Sequence, residues 1–516
     1  MASGPEPLAT LIAFNRFGLG ARPGGFATAA SDPRGFIAEE LKKPDAALIT
    51  TPDLPSSKRA IQEVFAQEEQ RKRERAQVAA SQMPGAGTNA SAAADGNTSQ
   101  TKPTEIAPAA AMASSPPPET SMMQSSGQPA PGGAMTPGEK PKGQPSVARD
   151  LYREEVLARL QKQAQADAGF VERLVAFWSN HFAISIAKGQ LVRASAGAFE
   201  REAIRPHVLG RFADMVKAVE QHPAMLFYLD NQRSMGPNSK AGSRGGGKGL
   251  NENLAREIME LHTLGVDGGY AQADVTTLAR IITGWTFAGR EGKVGEPGTF
   301  VFLPQWHEPG SQTLLGKTYS EAGLAQGELA LSDLARHPAT ARHIATKVVR
   351  HFVADDPPAP LVERIDKTFR DTDGDLAAVS MALVQDDDAW KAPITKMRNP
   401  AEFVAAIMRA TAFVPPEPQP VLGALLAMGM VPWNPPGPNG YPDVAAAWAS
   451  PEAMKVRLDV SWRAAQRIKG APQPIAMLED VAGTAASQET REAVGRAESR
   501  QQAMAILFMS PEFQRR

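Results

Sequence analysis

Residues 251–287 read NENLAREIMELHTLGVDGGYAQADVTTLARIITGWTF, and the spacing within them decides the fold. At about 100° per residue, Leu254, Ile258 and Leu261 fall on one stripe of a helix over residues 250–264. Asn253, Glu257, Glu260 and Leu264 share the neighbouring face, with Glu257 at the edge of the apolar stripe. A second helix is expected over 273–283. The same periodicity, rich in Ala, Leu, Glu and Arg and punctuated by Pro and Gly, predicts helices over 170–182, 196–204, 209–221, 223–229, 339–352, 361–369, 375–385 and 400–411. One stretch differs: GTFVFLPQWHEPGSQTLLGKTY, residues 298–319, sets aromatic and β-branched residues around a Pro-Gly pair and predicts a small hairpin. The expected fold is all-α: a multi-helix globular protein with one small β-hairpin and a long disordered insert.

The insert is expected over residues 81–146. Ile106 is its one Ile, Leu or Val and it has no aromatic residue, so little apolar area is available there to offset chain entropy. Charged and amphipathic stretches over 57–80 and 148–166 read as helices on either side. The implied organisation is 1–80 as the N-terminal part of the main domain, 81–146 as insert and 147–516 as the main helical domain, ample for a large core. With 55 Lys+Arg against 56 Asp+Glu, no global field favours nucleic acid or an anionic membrane. The absence of cysteine excludes disulfides, thiolate ligands and cysteine nucleophiles, leaving His, Asp and Glu for any metal. The apolar run 421–431 falls short of the roughly 20 residues of a spanning helix. Glu6 and the lack of a basic n-region leave no readable signal peptide, which favours the cytoplasm and keeps a periplasmic or exported location open.

Candidate chemistry concentrates in few places. A half-buried Glu257 or Glu260 suits an acid, a base or a metal ligand, depending on burial and neighbouring cations. The alternative is a helix-stabilising network, since Glu252–Arg256 and Arg256–Glu260 stand at i,i+4 spacing. His181 ends an apolar helix, and His307 with Glu308 lies on the expected hairpin. Together with Glu257 and Glu260 these histidines form an oxygen and nitrogen set suited to zinc, manganese or iron, without an HExxH or Glu-x-x-His signature to support it. The segment GSRGGGKG, 242–249, matches part of a phosphate loop through Lys248 but has Gly249 in place of Ser or Thr; it reads as an anion site or a solvated loop. Asp371, Asp373 and Asp375 resemble a calcium loop whose twelfth position is Ala382, and a helix cap by Asp373 or Asp375 is the simpler account. Asp230 is a candidate binding residue or part of an Asx turn. The run PWNPPGPNGYPD, 432–443, is a stiff loop that either lines a cleft or rigidifies the surface. No G-x-S-x-G elbow or G-x-G-x-x-G turn is present, and no cofactor is indicated.

Several motifs together resemble a bacterial family of unknown function, the domain numbered eighteen hundred: FWSNHF at 177–182, the 251–287 stretch, SPEFQ at 510–514, FGLG at 17–20, HEPG at 307–310 and LGK at 315–317. The resemblance implies no reaction. It does imply a partner, because the family's genes often adjoin those of a second family, numbered fifteen hundred and one, which resembles the sulfatase and alkaline-phosphatase superfamily; many relatives also look exported. Two functions therefore stand as expectations. One is an accessory or scaffold protein that works with such a partner in cell-envelope metabolism. The alternative is a hydrolase, metal-assisted or not, with Glu257, Glu260 and His181 catalytic and Asn253, Arg256, His307, Asp230 and Lys248 binding.

Overall fold

The computed structural model describes residues 7–51, 53–81, 146–244 and 249–516; the insert expected over 81–146, apart from its two end residues, and Lys248 lie outside them. One compact unit comprises residues 1–70 and 146–516, and a second comprises 71–145, of which the last turns of the Ser57–Ser81 helix are described. The fold is all-α, with 23 α-helices and two small antiparallel ladders among the described residues. No described helix is long and apolar enough to cross a membrane.

The helices build two main cores among the described residues. The larger gathers Phe17, Phe170, Trp178, Phe182, Phe212, Leu254, Ile258, Trp285 and Phe352, and the smaller gathers Phe403, Met477, Leu478, Met504, Phe508 and Phe513. The Pro400–Thr411 helix serves both: Val404, Ala405 and Met408 enter the first, Phe403, Ala406, Ile407 and Ala410 the second. A helix apolar on every face has to be covered on every face. C-terminal helices over Pro451–Arg467, Pro474–Ala482, Gln488–Gly495 and Arg500–Met509 complete the smaller core.

Buried arginines bind the chain to itself through backbone carbonyls. Arg409 reaches the carbonyls of Gly20, Gln163, Ala166 and Asp167 at 2.6–2.9 Å, and Arg16 reaches those of Ala389, Ala392 and Pro393. The FGLG motif is explained by the same docking. Leu19 N–H donates to Ala168 O, and a Cβ on Gly18 would stand 2.4 Å from that oxygen. SPEFQ is likewise an anchor: Gln514 donates to Phe508 O and accepts from Arg457.

The hairpin exists, with a different turn. β1 (Trp285–Phe287) pairs with β2 (Phe300–Phe302), and β3 (Gln312–Leu314) with β4 (Lys317–Tyr319). Leu315 and Gly316 form the tight turn at φ 49° and 77°, because a turn of this type I′ kind needs positive φ at both positions and proline is locked at negative φ. Pro309 and Gly310 therefore fall between β2 and β3. LGK is the turn itself, with Leu315 N–H held by Asp274 at 3.0 Å.

The expected 250–264 helix divides into an α-helix, Asn253–Glu257, and a π-turn, Ile258–His262. Thr263 Oγ1 donates to Ile258 O at 2.6 Å and Gly265 N–H to Met259 O. The extra residue in this turn rotates the side chains beyond it, so that His262 is fully buried. Its Nδ1 lies 2.8 Å from Glu220.

Candidate functional site

The Pro338–Phe352 helix carries His343, Lys347 and His351, each four residues from the next, on one stripe. Lys347 and His351 line a cavity of about 470 Å³ together with His181, Arg350, Trp433, Tyr441 and Asp443, within the roughly 300–1,000 Å³ of small-molecule sites. The wall opposite is the 432–443 loop. Asn180 clamps it, accepting from Tyr441 N–H at 2.7 Å and donating to Tyr441 O at 2.9 Å. Gly440, at φ 76°, makes this approach possible, since a Cβ there would sit 2.4 Å from Asn180 O. Trp433 Nε1 donates to Glu200, and the Tyr441 hydroxyl lies 2.7 Å from the carbonyl of Asn434 and 2.9 Å from that of Val431.

Two imidazoles flank Phe177, His351 at 5.2 Å and His181 at 6.3 Å between ring centroids. His351 Nδ1 is 2.7 Å from Asp443 Oδ2. A carboxylate only accepts, so Nδ1 carries the hydrogen and, in the neutral ring, Nε2 keeps its lone pair. That Nε2 is buried without a hydrogen-bond partner. Burial, reinforced by Arg516 and Arg173, lowers the His351 pKa despite Asp443 and keeps the ring neutral. Burial opposes ionisation of Asp443, yet His351, Arg516 and Lys396 outweigh it and hold the carboxyl well below its ordinary value. His181 follows the same logic. Its Nε2 lies 3.1 Å from the carbonyl of His262, leaving a buried, unpartnered Nδ1, and burial, Lys347, His262 and His343 push its pKa well down.

Behind the wall, Arg516 reaches Glu402 at 2.8 Å and Asp443 at 3.2 Å, and Arg173 reaches Glu402 at 3.3 Å. Burial opposes ionisation of Glu402, but Arg516 and Arg173 bring its pKa down to about 2. Lys396 joins Asp355 to Asp443. Every carboxylate on the wall thus has its own cation. Lys347 and Arg350 have no ion pair among the described residues, and burial with Arg350 nearby lowers the Lys347 amine to about 8.

Of the residues singled out in the sequence, His181 lines this cavity. Glu257 and Glu260 stand elsewhere, at the π-turn, with no hydrogen bond or ion pair among the described residues. Burial raises the Glu257 carboxyl, and Glu260 and Glu220 add to the rise against the opposing pull of His262. His181 meets the backbone of His262 and has no bond to the glutamates. Arg256 pairs with Glu252 at 3.3 Å and with Gln272; Asn253 is exposed. Asp230 adopts φ 60°, pairs with Lys188 and accepts through its carbonyl from Asn251. His307 is buried against Thr283 O at 3.1 Å while Glu308 holds Asn238, so both brace the loop before β3. Asp375 is the helix cap, accepting from Ala378 N–H. No three described His, Asp or Glu side chains converge to hold a metal ion. His351, Lys347 and Asp443 escape a reading built on local motifs. The recurrence of His343, Lys347 and His351 at helical spacing is the signal that marks them.

Fold and cavity define a class: a helical protein whose cavity sets two buried imidazoles beside two cations that have no ion pair among the described residues. The family model described as a protein of unknown function, DUF1800, matches residues 12–515, and the chain belongs to that family. No curated protein and no solved structure matches it.

Proposed function

We propose that the cavity is the active site of a hydrolase in which His351, oriented by Asp443, is the general base. The observation that carries this reading is the 2.7 Å contact between His351 Nδ1 and Asp443, in a residue that lines the cavity and whose Nε2 is buried without a hydrogen-bond partner, 4.0 Å from Glu402 Oε1. An imidazole held in one tautomer by a carboxylate takes a proton at its other nitrogen. Water bound there would give its proton to Nε2 while its oxygen bonds to the electrophilic centre. The bond to the leaving group then breaks, and the imidazolium returns the proton to that group. His181 supplies a second lone pair, in place of the glutamates expected from the sequence. Purified protein screened against ester, glycoside, phosphate and sulfate substrates, beside His351→Gln, tests this. Turnover that falls by about 10²–10⁴ in the variant supports it, and equal background from both proteins overturns it.

The accessory role beside a sulfatase or phosphatase-like partner is a separate proposal, supported by the family resemblance. Co-purification with a protein of that type is expected under it, and a chain that elutes alone from a mixture of the two speaks against it.

A further inference from the structure

The wall of the cavity is unbalanced in a specific way. Asp443 is matched by Arg516 and Lys396 and accepts a hydrogen bond from the neutral His351, Glu402 is matched by Arg516 and Arg173, and Asp355 by Lys396. Arg159, the remaining cation on the wall apart from Lys347 and Arg350, has Glu200 at 3.4 Å. Lys347 and Arg350 lie three residues apart on the Pro338–Phe352 helix and both reach the cavity. Neither has a carboxylate within ion-pair distance among the described residues, and Arg350 donates to the backbone oxygen of Asp355. A half-buried ammonium without a counterion is costly in proportion to its loss of water. An arrangement that neutralises each acid and leaves two cations facing a cavity is stabilised when the missing anion arrives from solution.

We infer that the substrate carries an anionic oxygen group, carboxylate, phosphate or sulfate, and that Lys347 and Arg350 bind it beside the His351 base. The inference rests on the reading of this cavity as a catalytic site and assigns its substrate class. The guanidinium supplies a planar fork of donors and the ammonium a point charge, a combination that accepts either a carboxylate or a tetrahedral oxyanion. Trp433, Tyr441, Pro432 and Pro435 on the facing wall leave apolar surface for the remainder of the molecule.

The groups that face the Lys347 amine are Asp443 from the loop, His181 from the Phe170–His181 helix, and His343 and Arg350 from its own helix. His343 is lowered to about 4 and His181 well below its ordinary value, while Asp443 stays ionised. Above neutral pH the group among these that changes charge first is Lys347, so anion affinity should weaken as pH rises through its pKa of about 8.

The test is calorimetric titration of the full chain with sodium phosphate, sodium sulfate and sodium acetate at constant ionic strength, at about pH 7 and about pH 9.5. At least one of these anions should bind saturably at the lower pH and roughly tenfold more weakly at the higher. Lys347→Met should lose about tenfold or more, and Lys347→Arg should restore most of the affinity. Acetate against phosphate and sulfate separates a carboxylate from a tetrahedral group. Competitive acylation of wild-type lysines, read by mass spectrometry, needs no variant to fold: Lys347 should be among the most reactive amines and be protected by the bound anion. Absence of saturable binding by all three anions, or equal binding by wild type and Lys347→Met, overturns the inference. Turnover of neutral substrates without anion binding sinks the inference alone, whereas anion binding in a chain that turns over no substrate sinks the catalytic reading alone.

Discussion

At the scale of single residues, Glu257 shows how far a helix wheel predicts the surroundings of a side chain. It lies at the margin of the core, as its spacing implies, and burial raises its carboxyl, but its neighbours are other acids and a histidine already paired with Glu220. Replacement by Gln removes a charge that the folded state tolerates poorly. A raised folded pKa means that the folded protein holds the proton more tightly than the unfolded chain, and the carboxylate's penalty appears as pH rises through that pKa. Glu257→Gln is therefore expected to match or exceed wild-type stability at pH 7 by under about 1 kcal/mol, solvent screening keeping the effect small. The difference should vanish as the pH falls through the folded pKa. Urea unfolding across this range measures it, and a Glu257→Gln protein clearly less stable than wild type at neutral pH would assign the carboxylate a favourable partner.

Among the elements, the 432–443 loop forms part of the cavity wall. Its shape depends on Asn180 holding Tyr441 and on the absence of a side chain at Gly440. Gly440→Ala should cost about 1–3 kcal/mol, from left-handed backbone strain and the clash with Asn180 O. It should also lower turnover more than stability, because the loop moves away with Asp443. Thermal melting beside the substrate screen separates the two effects; an unchanged loop and full activity would refute the clamp. The proline and aromatic content of the loop was readable as stiffness, and Asn180 stood in the quoted FWSNHF motif. Their meeting was not readable, since 261 residues separate Asn180 from Tyr441. The π-turn was hidden for another reason. Periodicity reports an average of 3.6 residues per turn, and one extra residue in one turn barely alters it, although it decides where His262 points.

Across the whole molecule, Glu402 is the centre of an ionic network that unites distant parts of the chain. Arg173 of the Phe170–His181 helix, Arg516, and through Asp443 also His351 and Lys396, all converge there. The Glu402 carboxyl is lowered from its ordinary 4.5 to about 2. Its contribution to stability should be fully present above about 4.5 and be lost as the pH falls towards 2. Glu402→Gln should melt at lower temperature than wild type at pH 7, consistent with the roughly 3–5 kcal/mol cost of breaking a buried pair. Its melting temperature should also fall less steeply with acid. Parallel pH profiles for the two proteins would remove Glu402 from the network.

The sequence by itself determined the helical class, because apolar spacing and Pro and Gly punctuation are local properties. It also determined the family, because motifs such as FGLG, LGK and SPEFQ are local strings whose purpose is backbone docking, a tight turn and an anchor. Tertiary structure alone brought the cavity's residues together. The pairing of His351 with Asp443, 92 residues apart, and the lack of an ion pair at Lys347 among the described residues follow from which helices and loops pack together. Charge balance around a cavity is a sum over groups brought close by folding, and no window along the chain contains that sum.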